Sequence, residues 1–262
     1  MNNEVKLQII DLYNNSKYTV QDIANKFNVC KCTVYNLTKK FRNKDSNRSQ
    51  VVRDNVFKDL SNQDVQYWLG FLSADGSIFG DRIALSLKKD DEKILIKFKE
   101  FLGNVNIIYG IYKKFGKEYP YCRVAFRNKK IVEFLRELGI TNNKSFSIKV
   151  NFPITNHFLR GLIDGDGSIY CGKRNCVRIF SASKDFVKQI SDLLQENNIE
   201  NHVYLRNNKK VLYDIQVNKN SEVKKIIDFL YNNANTFLQR KYYNATQIRN
   251  NLMKHLKFRE LA

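Results

Sequence analysis

Two segments of the chain carry an aspartate in nearly the same setting. The sequence QYWLGFLSADGSIF (residues 66–79) returns as HFLRGLIDGDGSIY (residues 157–170), so that Asp75 and Asp166 occupy equivalent positions, each followed by Gly-Ser-Ile. Two carboxylates brought together repel one another and invite a divalent cation, and hard oxygen ligands suit Mg²⁺. Metal ions that bridge the attacking and leaving oxygens of a phosphodiester are a general solution for its hydrolysis. The repeat therefore indicates a metal-dependent site, provided that the fold brings the two aspartates together.

The residues before each aspartate read as a helix with small residues on one side. Positions four apart lie on the same face of a helix, and small side chains there permit close contact with a second helix. If the two helices pack through these faces, Asp75 and Asp166 meet at the base of their interface. The alternative is a pair of helix-ending acids that face solvent. The small residues are Gly70 and Ala74 in the first copy and Gly161 and Gly165 in the second.

The same order of elements follows both copies: an alternating strand pair, a helix, further strands and another helix. In the first strand pair Ile83, Leu85 and Leu87 fall on one face, while the other face is polar and basic. This pattern predicts two sheets, each covered by helices on one side, whose open basic faces line a long groove. A merely solvated sheet surface is the alternative. The predicted elements are 77–88, 91–102, 106–127 and 130–138, then 168–181, 184–197, 202–217 and 221–231.

The composition favours a folded protein with a polyanionic partner. The 262 residues hold 45 Lys and Arg against 26 Asp and Glu, a net charge of +19, and 43% are hydrophobic. Such a charge attracts nucleic acid first and anionic membranes second. No apolar run reaches membrane-spanning length and the start does not resemble a signal segment, so a cytoplasmic or organellar, non-secreted protein is expected. The five cysteines lack paired spacing, and Cys30 and Cys32 read as small residues in a turn, which argues against a disulfide framework or a zinc site.

The first 45 residues predict a separate three-helix unit. Apolar positions recur at helical spacing, Thr19 is a candidate N-cap, and Asn28 stands where the chain must turn sharply. The segment 20–39 resembles a helix-turn-helix, whose third helix would enter the major groove of DNA. A plain bundle with a basic solvated side is the alternative. The candidate DNA contacts are Lys31, Thr33, Tyr35, Asn36 and Lys39; residues 46–60 are predicted to be a linker.

At the paired motifs, WLGFLSADG and LRGLIDGDG, the chain resembles the LAGLIDADG homing endonucleases over roughly residues 61–245. The resemblance implies an α+β fold: two pseudo-symmetric αββαββα halves, 61–151 and 152–262, which form a DNA-binding saddle in one monomeric chain, with a basic helix at the C-terminus. It also implies Mg²⁺-dependent cleavage of both strands of a long, near-unique duplex site. Mn²⁺ or Ca²⁺ could occupy the same site in a crystal.

The resemblance also assigns residues. It makes Asp75 and Asp166 the metal-binding acids, with the backbone carbonyls of Ala74 and Gly165 as secondary ligands. A cation near the scissile phosphate would stabilise transition-state charge, and Lys144 and Lys241 lie at similar distances along the chain from their acids. The alternative for each is an ordinary surface lysine. Candidates for DNA contacts on the open sheet faces are Arg82, Lys88, Arg123, Arg127, Arg178, Arg206 and Gln216.

Two other functions remain open on the same fold. One is a non-cleaving DNA-binding regulator. Such proteins tend to lose the acidic residues of the motifs, whereas this chain retains both Asp75 and Asp166. The other is an intron RNA maturase, which would share the basic sheets and bind intron RNA. A self-splicing intein is disfavoured, because the chain opens with Met and ends in RELA.

Overall fold

The computed structural model describes residues 2–14, 20–38, 52–103, 105–141, 149–208 and 210–260. The chain forms two compact units, Met1–Ser49 and Gln50–Ala262. The smaller unit contains the three helices predicted near the start of the chain, and the larger unit holds both predicted halves together, with its elements where the alternation and periodicity place them. Across the described part of the chain, no helix combines the length and the apolar character that a membrane crossing requires.

The smaller unit contains α1 (Asn3–Asn14), α2 (Val20–Lys26) and α3 (Lys31–Leu37). Its core is formed by Ile9, Ile23, Ala24 and Val34. After α2 the backbone turns through Asn28 at a φ of +48°. The amide of Val29 donates to the carbonyl of Ala24 at 3.0 Å and closes the turn, the arrangement that an Asn tolerates better than most residues. The left-handed turn predicted at Asn28 is thus confirmed.

Three sequence expectations for this region need correction or fall outside the described residues. Cys30 and Cys32 are joined by a disulfide with a Cα–Cα distance of 5.3 Å, so their interpretation as simple turn residues is wrong. The candidate cap Thr19 lies outside the described ranges. The linker predicted over 46–60 extends too far, because Val52 and Phe57 are buried in the core of the larger unit.

The first half of the larger unit runs α4 (Gln63–Asp75), β1 (Gly76–Phe79), β2 (Arg82–Lys88), α5 (Glu92–Leu102), β3 (Ile107–Lys114), β4 (Lys117–Arg127) and α6 (Lys129–Glu137). The second runs α7 (Asn156–Asp166), β5 (Ser168–Tyr170), β6 (Cys176–Ser181), α8 (Lys184–Glu196), β7 (His202–Asn208), β8 (Lys210–Val217) and α9 (Asn220–Tyr231). A final helix, α10 (Gln239–Glu260), follows. The αββαββα order expected for each half is confirmed.

Each half has one antiparallel sheet, in the order β1-β2-β4-β3 and β5-β6-β8-β7. The inner face of the first sheet buries Ile83, Leu85 and Val124 against the helices, while Arg82 and Lys88 of β2 are exposed. One continuous core extends through both halves. Aromatic residues of this core surround Trp68, and the centroids of the Trp68 and Phe98 rings are 4.7 Å apart. The two open sheet faces are therefore held by a shared core rather than by two independent ones.

Candidate active site and nucleic-acid interface

The helices α4 and α7 cross in direct backbone contact at two glycines. A Cβ built on Gly70 would lie 2.0 Å from the carbonyl oxygen of Phe158, and one built on Gly161 would lie 1.9 Å from that of Tyr67. No side chain fits at such distances, so these positions require glycine for close approach. The prediction that small residues allow the motif helices to pack is confirmed.

This crossing carries the two predicted acids to the same place. Asp75 and Asp166 are the last residues of α4 and α7, and both are exposed. A Cβ built on Gly165 would lie 2.3 Å from the Cβ of Ala74 and 3.5 Å from Oδ2 of Asp75. The carboxylate of Asp75 thus lies beside the backbone of the residue that precedes Asp166. The structure brings the two helix ends together, as the sequence predicts.

The side chain of Lys241, from α10, contacts the backbone at the end of α7, next to Asp166. Its ammonium group donates to the carbonyl oxygens of Asp164 at 2.8 Å, Gly165 at 3.2 Å and Gly167 at 2.8 Å, and also to that of Ile163. The side chain is buried. Burial lowers the pKa of Lys241 to about 8, although the carboxylates of Asp164, Asp75 and Asp166 partly oppose the shift. The structure therefore places this cation within electrostatic reach of both acids, bound to the end of α7.

The possible metal ligands beside Asp75 and Asp166 are a small number of hard oxygen atoms. Within the described ranges, no group of three or more His, Cys, Asp or Glu side chains could hold a metal ion. Two carboxylates, supplemented by backbone oxygens and water, are nevertheless a donor set that Mg²⁺ accepts, because this ion keeps several of its waters. The carbonyl of Gly165 retains a second lone pair beside its bond to Lys241. The other predicted lysine, Lys144, lies outside the described residues.

A buried polar network at the crossing is one feature that the sequence did not reveal as such. The Arg160 side chain is 1% exposed and donates to the carbonyls of Thr236 at 2.9 Å and Leu230 at 2.8 Å. Asp164 accepts from the Tyr67 hydroxyl at 2.9 Å and from the Leu238 amide at 2.8 Å. Burial raises the pKa of Asp164 to about 6, against the effect of these bonds.

This network connects α7 to the segment that leads into α10. The other motif helix, α4, lacks the two charged residues that form it. In the repeat, the positions of Arg160 and Asp164 are Leu69 and Ser73 of α4. The only sequence signal is a charged residue, Arg160, inside an otherwise apolar helix stretch. Among the described residues between α6 and α7, 138–141 and 149–155, no helix comparable to α10 follows the first half, so in this part of the chain the two motif helices have different supports.

The open face of the first sheet carries the predicted basic residues. Its strand register sets Arg82 opposite Arg127, Ser86 opposite Arg123 and Lys88 opposite Tyr121. Arg82, Lys88 and Arg127 are exposed, whereas Arg123 is half-buried. Sequence reasoning missed the aromatic residues on the same face, of which Tyr112 and Tyr119 stack across β3 and β4 with ring centroids 5.0 Å apart. The sequence signal is confined to β4, where Tyr119 and Tyr121 are two residues apart and therefore on one face.

The open face of the second sheet gathers the other three predicted contacts around one carboxylate. Arg178, Arg206 and Gln216 all donate to Asp214, whose side chain is 0% exposed. This acid was not singled out from the sequence. In the smaller unit, α3 exposes Lys31, Tyr35 and Asn36, while Thr33 is half-buried and Lys39 lies outside the described residues.

Comparison with known proteins matches the duplicated architecture. The sequence model of the LAGLIDADG-like domain family matches residues 62–139 and 154–230, which together are more than half of the chain. Three curated proteins of Methanocaldococcus jannaschii also match. The DNA-directed RNA polymerase subunit Rpo1C is 29% identical over 140 residues, 52% of this chain and 16% of that protein. The replication factor C small subunit is 23% identical over 175 residues, 64% of this chain and 9% of its own length. The probable translation initiation factor IF-2 is 25% identical over 167 residues, which are 57% of this chain and 14% of that protein.

The matched segment is a small part of each of these three proteins, and their names describe three different tasks. Solved structures agree on the fold. The homing endonuclease I-WcaI bound to its DNA recognition sequence superimposes with a TM-score of 0.51 at 15% identity, over 69% of this chain and 84% of that one. The LAGLIDADG homing endonuclease I-GzeII in complex with its DNA target gives 0.51 at 12% identity, over 75% and 91%. The meganuclease I-SmaMI bound to uncleavable DNA gives 0.51 at 12%, over 75% and 90%.

At these identities the structural matches show a shared fold, and the family match identifies its two copies. The two motifs, the two αββαββα halves and the glycine-mediated crossing of α4 and α7 agree with both. The chain belongs to the LAGLIDADG family and carries two LAGLIDADG-like domains in a single polypeptide.

Proposed function

We propose that the protein is a site-specific homing endonuclease of a mobile element that cleaves both strands of duplex DNA. The observation that carries this proposal is the convergence of Asp75 and Asp166 at the ends of two helices in backbone contact. A carboxylate pair exposed at such a junction, in a chain of net charge +19, suits a phosphodiester substrate. The solved relatives described as bound to DNA targets support the same reaction class.

LAGLIDADG endonucleases use divalent metal ions, and we assign Mg²⁺ to the Asp75 and Asp166 carboxylates. When bound there, the ion would supply activation of water and neutralisation of charge on the phosphate. The residues of this chain hold the helix ends in place for it. Gly70 and Gly161 set the distance between α4 and α7, and the carbonyls of Ala74 and Gly165 would supply further oxygens.

Lys241 acts in this proposal as a positioning residue. Its ammonium group neutralises the negative end of the α7 dipole and fixes the backbone from Ile163 to Gly167. It also contributes positive charge beside Asp75 and Asp166. Lys144 remains a candidate for the equivalent role in the first half.

The remaining residues bind and place the duplex. Basic side chains on the two open sheet faces would follow the phosphates or contact base edges, and one monomer would cover a long target because both halves lie in one chain. The helix-turn-helix unit would add major-groove contacts through α3. Lys31, Tyr35 and Asn36 of α3, all exposed, support this assignment.

Cleavage of a randomised duplex library by the purified protein with Mg²⁺ tests the proposal. We expect one long, nearly unique site to be cut, with no cutting by the doubly substituted Asp75→Asn, Asp166→Asn control. Retention of particular duplexes without cutting would instead favour a regulator. If no duplex is bound or cut, the proposal is wrong and intron RNA becomes the next ligand to test.

Removal of residues 1–50 tests the part assigned to the smaller unit. That boundary follows the division of the chain into two compact units. We expect the truncated protein to cut the same site with weaker binding and a footprint shortened at one end. An unchanged footprint and affinity would show that this unit does not contact the DNA.

A further inference from the structure

The open face of the second sheet contains a fully buried carboxylate among the residues expected to meet DNA. Asp214 of β8 accepts from Nε of Arg178 at 3.2 Å, from Nε of Arg206 at 2.8 Å and from Nε2 of Gln216 at 2.7 Å. A terminal nitrogen of each arginine also contacts its Oδ2, that of Arg206 at 2.7 Å. Three strands thus contribute to one cluster, since Arg178 comes from β6 and Arg206 from β7.

A carboxylate on a surface that binds DNA repels the phosphates, so its presence there calls for a structural reason. Burial alone would raise the pKa of Asp214, but the hydrogen bonds from Arg178, Gln216 and Arg206 outweigh it, so the pKa lies below the usual value and the group is ionised. Charge-assisted pairs of this kind fix geometry as well as charge. Asp214 therefore holds two guanidinium groups in set orientations before any ligand arrives.

The orientation leaves useful donors on the outside. The side chains of Arg178 and Arg206 remain 29% and 45% exposed although that of Asp214 is 0% exposed. Each carboxylate contact uses Nε and one terminal nitrogen, so the edge formed by the two terminal nitrogens still has protons to donate. The guanidinium of Arg178 also lies 4.8 Å above the centre of the Phe180 ring, which restricts it from a second side.

The first half is built differently at the equivalent place. Ser77 pairs with Ala84 in the first sheet as Ser168 pairs with Arg178 in the second, and the partners of these residues are Ala125 and Gln216. The position of Asp214, two residues before Gln216, is therefore that of Arg123. Arg123 has a buried Nε without a hydrogen-bond partner, so within the described part of the chain this nitrogen lacks the carboxylate support that Nε of Arg178 and Arg206 has in the second sheet.

We propose that Asp214 is a positioning residue for base recognition, which directs Arg178 and Arg206 toward guanine edges so that the second half reads sequence more strictly than the first. This inference rests on the proposed function. An arginine is matched to the O6 and N7 acceptors of guanine in the major groove, and its selectivity depends on the orientation of its fork. Fixing that orientation in the free protein lowers the conformational entropy lost on binding.

The test is selection of duplexes from a randomised library in EDTA, where binding is measured without cleavage. The wild type is compared with Asp214→Asn, which removes the charge and keeps the shape. Asp192→Asn is the matched control, because it removes a half-exposed carboxylate of α8 that pairs with Lys188 one turn away on the same helix. Arg206→Lys serves as a second variant that retains all charges, and thermal unfolding of each protein shows that it is folded.

We expect Asp214→Asn to lose about tenfold of the preference for guanine at one or two base pairs in one half of the site. Arg206→Lys should weaken preference within the same half-site, Asp192→Asn should change nothing, and preferences in the other half should persist. Loss spread evenly over the site, or a profile identical to the wild type, would overturn the inference alone. A wild type that enriches no sequence would remove the proposed function and this inference with it.

Discussion

Lys241 shows how one side chain supports the candidate active site through the backbone. The carbonyls of Asp164 and Gly167 at the end of α7 each accept a hydrogen bond from its ammonium group, at 2.8 Å. Replacement by Met keeps most of the apolar volume and removes every donor. Buried acceptors left unpaired cost about 1–3 kcal/mol each, so both the free energy of unfolding and the placement of Asp166 depend on this residue.

We expect Lys241→Met to lower the free energy of unfolding by at least ~1 kcal/mol and to slow cleavage at temperatures where the variant is still folded. Urea denaturation and single-turnover cleavage measure the two effects. Lys188→Met is the control, since Lys188 is an exposed lysine on α8. Unaltered stability in Lys241→Met would contradict the role assigned to the contacts with α7.

Asp214 gives a pH dependence whose sign follows from its lowered pKa. A carboxyl whose pKa is lower in the folded than in the unfolded state stabilises the fold above about pH 4. That stabilisation is lost as the pH falls through the folded-state pKa, because the proton then binds to both states. At low pH the wild-type side chain resembles the amide of Asp214→Asn.

The free energies of unfolding of wild type and Asp214→Asn should therefore differ most at pH 7, and the difference should shrink as the pH is lowered toward 3. Urea titrations at both values measure the difference, with Asp192→Asn as the matched carboxylate change. An equally large difference at pH 3 and pH 7 would show that the stability effect does not come from the charge of Asp214.

At the scale of elements, the crossing of α4 and α7 determines the site. Gly161 faces the backbone of Tyr67 so closely that a methyl group would overlap its carbonyl oxygen, at 1.9 Å. Neither backbone can move without displacing the carboxylates at the helix ends. A single added methyl group should therefore separate the acids as well as strain the core.

We expect Gly161→Ala to lower the free energy of unfolding by about 1–3 kcal/mol. It should also reduce the rate of cleavage more than the affinity for DNA. Thermal unfolding, together with cleavage and binding assays on the selected site, measures these effects. Gly80→Asn is the control, because a Cβ at Gly80 meets nothing within 4 Å and Asn accepts its φ of +59°. Full activity of Gly161→Ala would disprove the dependence of the site on this contact.

Much of this element-scale architecture could be predicted from the sequence. The duplicated motif placed Gly70 and Gly161 at a helix contact, and alternation along β2 gave the covered and open faces. The Asp214 cluster could not be predicted, because it depends on which residues of β6, β7 and β8 lie side by side. A register shift of one residue would turn each of these side chains to the opposite face.

At the scale of the whole molecule, contacts distant in sequence were also beyond prediction. Arg160 bonds to Thr236, and Lys241 reaches the end of α7 more than seventy residues away. Nothing local in the sequence joins α10 to that helix. The spacing of Lys241 from Asp166 suggested proximity to the acids, whereas its burial and its backbone partners came only from the packing of the second half.

The net charge of +19 and the two basic open faces make a prediction about salt. Neutralising six to ten phosphates lowers affinity by about 10³ to 10⁵ between 50 and 200 mM salt. We expect a loss of that order for the intact protein, measured by filter binding or fluorescence anisotropy on one duplex. A nearly flat salt dependence would show that the sheet faces do not track the DNA backbone.

The central claim is that Asp75 and Asp166 form one cleavage centre and are dispensable for binding. Its most direct test is cleavage of the selected duplex in Mg²⁺ by Asp75→Asn and Asp166→Asn separately, with binding measured on the same samples and Asp192→Asn as the control. The account predicts that neither variant makes double-strand breaks, while both bind within about threefold of the wild type, because few phosphate contacts change. Wild-type rates of double-strand cleavage by either variant would contradict it.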